Sequence, residues 1–227
     1  MIVILLVFSL SCLGVVVVNS YSVSVLSRSE SPILSYIDHT STYQQIFNPT
    51  WVEASSGTGG KKGIIARTQN CVSIVNDPCT WCGGAVDKAS ILTFSEQLDD
   101  SSFKKVDETS VVFGPSDAND SWGTEDPRMK YNPADQQYYM FYTAYNGSAI
   151  YLNLATTANP TSPSGWTKRG AVFPSQPNSK SAALLLRSSG PHYLLWGDHD
   201  IRIAKSDDPA VWPEIGMCVC VCVCVCV

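Results

Sequence analysis

The sequence predicts an all-β fold, specifically a β-propeller of which about three blades are present. Three observations carry this. Convincing helical periodicity is missing, the apolar runs are short and bounded by turns rich in Gly, Pro, Asn, Asp and Ser, and the runs recur in a fixed order.

The runs are "KGIIART" from Lys62, "ASILTFS" from Ala89, "YYMFYTAY" from Tyr138, "AIYLNLATT" from Ala149, "AALLLR" from Ala182, "HYLLWG" from His192 and "IRIAKS" from Ile201. Asn146-Gly147 between two of them is a strong hairpin signal. The order repeats. Tyr139 answers to Tyr193, "LATTANP" to "IAKSDDP", and Trp166 to Trp212, while "KGIIARTQN" and "SILTFSEQLDDSSF" form a looser third copy. A unit of about 50 residues of antiparallel strand suits a propeller blade. A blade cannot bury its faces alone, so the Trp or Phe closing each unit is expected in the core between blades.

Composition narrows the function. Of 227 residues, 44% are hydrophobic and 15% charged, and the net charge is -5. A sizeable core is available, and no basic run exists to favour nucleic acid or an anionic membrane. No cofactor is expected, and His39, His192 and His199 give no metal spacing.

Both ends read as something other than domain. Residues 1–20 are an apolar run closing on the small residues Val18 and Ser20, which suits a cleaved signal peptide, with an uncleaved anchor as the alternative. The expected location is therefore extracellular. Residues 217–227 alternate Val and Cys from Cys218, as a translated GT dinucleotide repeat would, which suits no ordinary zinc spacing and reads as an artefact of the gene model. The domain is expected over residues 31–216, cut short after about three blades and for that reason inactive as it stands. Cys71, Cys79 and Cys82 are disulfide candidates, one pair with one thiol over, and "CTWC" is not expected to be a redox site. Asn119 and Asn146 are N-glycosylation sequons, whereas Pro49 blocks the one at Asn48.

The chemistry centres on "GTEDPRM", Gly123 to Met129. Glu125 and Asp126 are expected in a loop before an innermost strand, facing the propeller axis, with Pro127 fixing the backbone and Arg128 able to hold a carboxylate or a sugar hydroxyl. Local reading leaves two alternatives: a solvated turn with an arginine ion pair, or a general acid for glycosidic cleavage.

"GTEDPRM" followed by "QQYYMFYTAYNG" resembles the signature of glycoside hydrolase family 130, the β-mannoside phosphorylases and hydrolases. These are five-bladed propellers related in fold to the arabinanase, levansucrase and invertase group. "IFNPTWV", "GIIAR", "NSKSAALLLRSSGPHYLLW" and "IRIAKSDDPAVW" add support, so the resemblance spans Ile46 to Trp212. It implies Asp126 as general acid, working through a substrate hydroxyl. It implies Asn48 and Arg67 on the sugar at the cleavage point, Glu125 and Arg128 beside the acid, and Lys180 near the phosphate or base. Where the phosphorylases carry an arginine after the strand matching "HYLLW", this chain reads "LLWGDHD", with Arg187 or Arg202 as possible substitutes. A phosphate clamp without its forked arginine loses much of its specificity, which favours inverting hydrolysis. Inversion needs a second carboxylate about 6.5–9.5 Å from the acid. The resemblance implies that the base comes largely from later blades, beyond Gly216; Asp198, taken as substrate-binding, and Asp200 are the best in-chain candidates, with His199 read as a turn residue. The expected partner is an oligosaccharide, with no nucleic acid and no membrane beyond the possible anchor. A non-catalytic glycan-binding propeller and a generic propeller interaction domain are the competing readings.

Overall fold

Tyr138–Tyr145 is apolar at almost every position because a strand has two faces and here both are covered. Tyr138, Met140, Tyr142 and Ala144 pack into one buried cluster with Val52, Ile65, Leu92 and Phe113. Tyr139 and Phe141, on the opposite face, pack into a second with Leu194, Trp196 and Trp212. The side-chain period of two sends alternate residues to the two clusters. In a computed structural model of the chain, residues 2–6, 15–19, 34, 45–69, 90–99, 102–198, 200–214 and 217–218 are described.

The chain divides into Met1–Pro32 and Ile33–Val227. In the first unit, β1 (Ile2–Leu6) and β2 (Val15–Asn19) pair antiparallel. The expected leader falls here. No helix among the described residues is long and apolar enough to cross a membrane.

The second unit holds three four-stranded antiparallel sheets among the described residues. Blade 1 runs β3 (Gln45–Val52), β4 (Gly63–Gln69), β5 (Ile91–Glu96) and β6 (Val111–Phe113). Blade 2 runs β7 (Gly123–Asn132), β8 (Gln137–Tyr145), β9 (Ile150–Thr157) and β10 (Thr167–Ala171). Blade 3 runs β11 (Ala183–Leu185), β12 (His192–Trp196), β13 (Arg202–Ser206) and β14 (Met217–Cys218). The first strands of the blades neighbour one another, β3 against β7 and β7 against β11. This is a partial β-propeller, with β3, β7 and β11 innermost.

The expected closing aromatics do pack between blades. Trp166 of blade 2 meets Phe113 of blade 1 edge-on at 5.0 Å, and Trp212 of blade 3 meets Phe141 of blade 2 at 6.3 Å. Asn146–Ala149 closes the expected hairpin, with Tyr145 paired to Ile150.

One expectation needs correction: Glu125 and Asp126 lie inside β7 and not in a loop before it. The ladder with β8 slips between Glu125 and Arg128, a β-bulge that accommodates Pro127, which has no N–H to give the ladder. The bulge recurs in β3 between Phe47 and Thr50, around Asn48-Pro49. In blade 3, Lys180 and Gly197 share a backbone hydrogen bond, whereas Ala183 pairs with Leu195, so Ser181 and Ala182 take the bulge positions. Asn48, Asp126 and Ser181 are thereby equivalent, and all three have left-handed backbone, with φ of 48°, 49° and 59°. The register also equates Tyr139 with Tyr193, as the repeat predicted.

Candidate active site at the inner strands

The bulges explain the site. A β-bulge re-aims the side chain it carries, and two neighbouring bulges here bring Asn48 and Asp126 together from positions 78 residues apart. Asn48 Nδ2 donates to Asp126 Oδ1 at 2.6 Å. Asn and Asp tolerate left-handed backbone better than most residues, which suits them to these positions.

Arg67, at the end of β4, joins the two acids. Its Nη2 donates to Glu125 Oε1 at 2.7 Å and its Nη1 to Asp126 Oδ1 at 3.2 Å. The guanidinium also lies 4.6 Å from the Phe47 ring centroid. The side chains of Arg67, Glu125 and Asp126 are 10%, 12% and 22% exposed, so solvent reaches Asp126 most readily. Two carboxylates share one guanidinium, leaving one negative charge in excess. Burial raises the carboxyl of Glu125 above its usual range. Arg67, the Ser90 hydroxyl and Lys180 pull the other way, and Asp126 adds to the rise.

Ser90 and Gln69, not singled out by sequence reasoning, complete this cluster. Ser90 Oγ donates to Glu125 Oε1 at 3.1 Å and accepts from Arg67 Nε at 3.0 Å and Gln69 Nε2 at 2.6 Å. A small hydroxyl opening the strand "SILTFS" carries no signal of its own beside a distant acid.

The remaining candidates stand apart. Arg128, half-buried, bonds the Pro127 carbonyl through Nη1 at 2.8 Å. Lys180 pairs with Asp198 at 3.1 Å. Asp198 and Asp200 line a cavity of about 210 Å³ between the end of the blade 2 to blade 3 crossover and the loop after β12. Of the substitute arginines, Arg202 donates to Gln176 Oε1 at 2.7 Å, and Arg187 lies 5.9 Å from the Tyr193 ring centroid. His192 Nδ1 accepts the Arg187 amide at 3.1 Å, a turn contact. Asn119 and Asn146 are half-buried in turns. Cys71, Cys79, Cys82, His39 and His199 lie outside the described residues. Among the described residues no group of three or more His, Cys, Asp or Glu could hold a metal ion.

Comparison with known proteins bears on this geometry. The β-1,4-mannooligosaccharide phosphorylase family matches residues 85–217. Among solved structures, a glycosyl hydrolase from Bacteroides ovatus is similar at 24% identity over 74% of this chain and 47% of its own, with a TM-score of 0.57. A β-1,2-mannobiose phosphorylase from Listeria innocua, in complex with β-1,2-mannobiose, is similar at 16% identity over 82% of this chain and 62% of its own, TM-score 0.57. A structure from the GH130 family of mannoside phosphorylases, described with glycoside hydrolases that target β-1,2-mannosidic linkages in Candida mannan, is similar at 22% identity over 82% and 56%, TM-score 0.61. A comparison with curated proteins gives no match. The chain spans about half the length of the first solved structures it matches. With 133 of its 227 residues, 85 to 217, inside that family's match, and the acid-bearing inner strand among them, the chain belongs to glycoside hydrolase family 130.

Proposed function

We propose that the inner strands of blades 1 and 2 form one wall of a site that cleaves β-mannosides, with Asp126 as the proton donor. The observation that carries this is the meeting of Asn48, Arg67 and Glu125 around Asp126, where two equivalent bulges converge. A general acid must reach the leaving oxygen directly or through one intervening hydroxyl. Asp126 is the more exposed of the two acids and stands on the re-aimed bulge position. Asn48 and Arg67 hold its Oδ1, leaving Oδ2 for a sugar hydroxyl. Glu125, more deeply buried, fixes the arginine.

Hydrolysis is favoured over phosphorolysis. Phosphate recognition is best served by a forked arginine. Here Arg202 is engaged with Gln176, Arg187 lies over Tyr193, and Lys180 is paired with a carboxylate. Asp198 and Asp200, beside the cavity, are the candidate bases for a water attacking the opposite face of the sugar ring.

The test incubates the full chain with β-1,2- and β-1,4-mannobiose, with and without inorganic phosphate, and separates the products. Free mannose independent of phosphate is expected from this sequence extended to the full length of the solved structures it matches, and none from the three blades alone. In the extended protein Asp126→Asn should lower turnover at least 100-fold with the fold retained. Mannose 1-phosphate as the main product would overturn hydrolysis. Undiminished turnover in the folded Asp126 variant would overturn the acid. Binding of mannobiose without turnover would support a glycan-binding module instead.

A further inference from the structure

We propose that Ser90 is a positioning residue for the acid pair: its hydroxyl locks Arg67 so that one guanidinium spans Glu125 and Asp126. This rests on the reading of that cluster as a catalytic wall.

A serine hydroxyl has one proton to donate and two lone pairs to receive. In Ser90 all three are used. Arg67 Nε and Gln69 Nε2 both donate to Oγ, so its own proton is directed to Glu125 Oε1. The rotor of an ordinary serine is thereby fixed. Ser90 is 1% exposed, so water does not compete for these contacts. Its main chain is equally committed: the Ser90 carbonyl accepts from Thr124 N at 2.9 Å and Thr124 Oγ1 at 3.2 Å. Gly123 forms a parallel bridge with it. A Cβ at Gly123 would lie 3.3 Å from both the Ser90 Cβ and Glu125 Oε1, so the glycine lets the two strands close at this point. Ser90 therefore sits where blade 1 is joined to the strand that carries the acids.

The consequence for Arg67 is geometric. Guanidinium carries five N–H donors in one rigid plane. Fixing Nε on Ser90 sets that plane, and the two terminal nitrogens then meet Glu125 and Asp126. Three of the five donors are used inside the protein. Without Ser90 the guanidinium's remaining hydrogen bonds are to the carboxylates it is meant to orient, and the Phe47 ring beside it accepts no directed bond that would set its plane. The charged groups around Glu125 are Arg67 from β4, Asp126 beside it on β7, and Lys180 ahead of β11, the last paired with Asp198.

Ser90→Ala in the full chain tests this, with two readouts that fail separately. The first is the carboxyl titration of Glu125, followed by NMR with ¹³C-labelled glutamate. Loss of a hydrogen bond to the ionised form should raise its midpoint by about one unit, tenfold in proton affinity. The second is mannobiose cleavage, where kcat should fall about tenfold with KM held within twofold, since a misplaced group costs the chemical step more than binding. An unchanged Glu125 midpoint in folded Ser90→Ala overturns the positioning role whatever the activity. A shifted midpoint in the full-length extended protein, when its wild type does not cleave mannosides, supports the positioning role and overturns the catalytic reading. If Ser90→Ala fails to fold, the Arg67 Nε–H signal of the wild type decides: slow exchange with water supports the lock, and rapid exchange overturns it.

Discussion

Replacing Lys168 with methionine should destabilise the propeller by about 3 kcal/mol, the lower end of the 3–5 kcal/mol that removing one partner of a buried ion pair costs. Residues 114–122 cross from the outer strand of blade 1 to the inner strand of blade 2, and Asp120 within them is fully buried. Its Oδ1 accepts the amides of Ser116 at 2.9 Å and Asp117 at 3.0 Å. Its Oδ2 accepts the Tyr142 hydroxyl at 3.0 Å and the Lys168 ammonium. Lys168 also bonds the Gly114 carbonyl at 2.9 Å and lies 4.8 Å from the Phe113 ring centroid, so one side chain of β10 ties the crossover to both blades. Methionine keeps the apolar stem and removes the charge. The lower figure is taken because the lysine side chain is 16% exposed and water can partly replace it. At about 2–4 °C per kcal/mol for a chain of this size, the melting temperature should fall by about 6–12 °C. Circular dichroism melts of the full chain at pH 7 read this directly. Adding Asp120→Asn to the variant removes the orphaned charge and should recover about 1 kcal/mol or more relative to the sum of the single changes. A Lys168→Met protein melting within about 2 °C of wild type, or strictly additive single and double changes, would refute the argument.

Two further outcomes follow from the same structure. The folded state holds the Glu125 carboxyl above the ordinary value of 4.5. Between that value and the raised one the folded chain binds more protons than the unfolded chain, so this group's contribution to stability falls as pH rises through the window. Glu125→Gln removes that dependence, so its melting temperature relative to wild type should be higher at pH 8 than at pH 4, and the reverse order would contradict the burial argument. A Cβ at Gly57 would meet the Ala158 carbonyl oxygen at 1.9 Å, a backbone contact between blades 1 and 2 that cannot yield without a shift. Gly57→Ala should therefore cost about 1–3 kcal/mol in urea unfolding, and a loss below about 0.5 kcal/mol would show that the blades part freely there.

Strands β4, β8 and β9 were legible because they are covered on both faces and read as nearly unbroken apolar runs. Gly63–Thr68 is buried at every position, and Ile150–Thr157 nearly so. The innermost strands of blades 1 and 2 were not legible as strands. "FNPTWV" and "GTEDPRM" carry a proline and polar residues mid-run, which ordinarily argues against a strand. They are strands because a bulge takes the proline out of the ladder, and a bulge is a property of the pairing, invisible in one strand alone. The same cause misplaced Glu125 and Asp126 in a loop.

By itself, the sequence determined the all-β class, the repeat that aligns Tyr139 with Tyr193, the aromatic residues that seal neighbouring blades, and the residue types of the acid pair. Those depend on local periodicity and composition, which a linear chain displays. The resemblance implied one site for Asn48, Arg67 and Asp126, but only the tertiary structure added Ser90 and decided how the four meet, because that requires the register of two blades and two bulges with left-handed backbone. Lys168 and Asp120 make the same point: 48 residues apart and unremarkable in sequence, they become a buried pair because the blades stack.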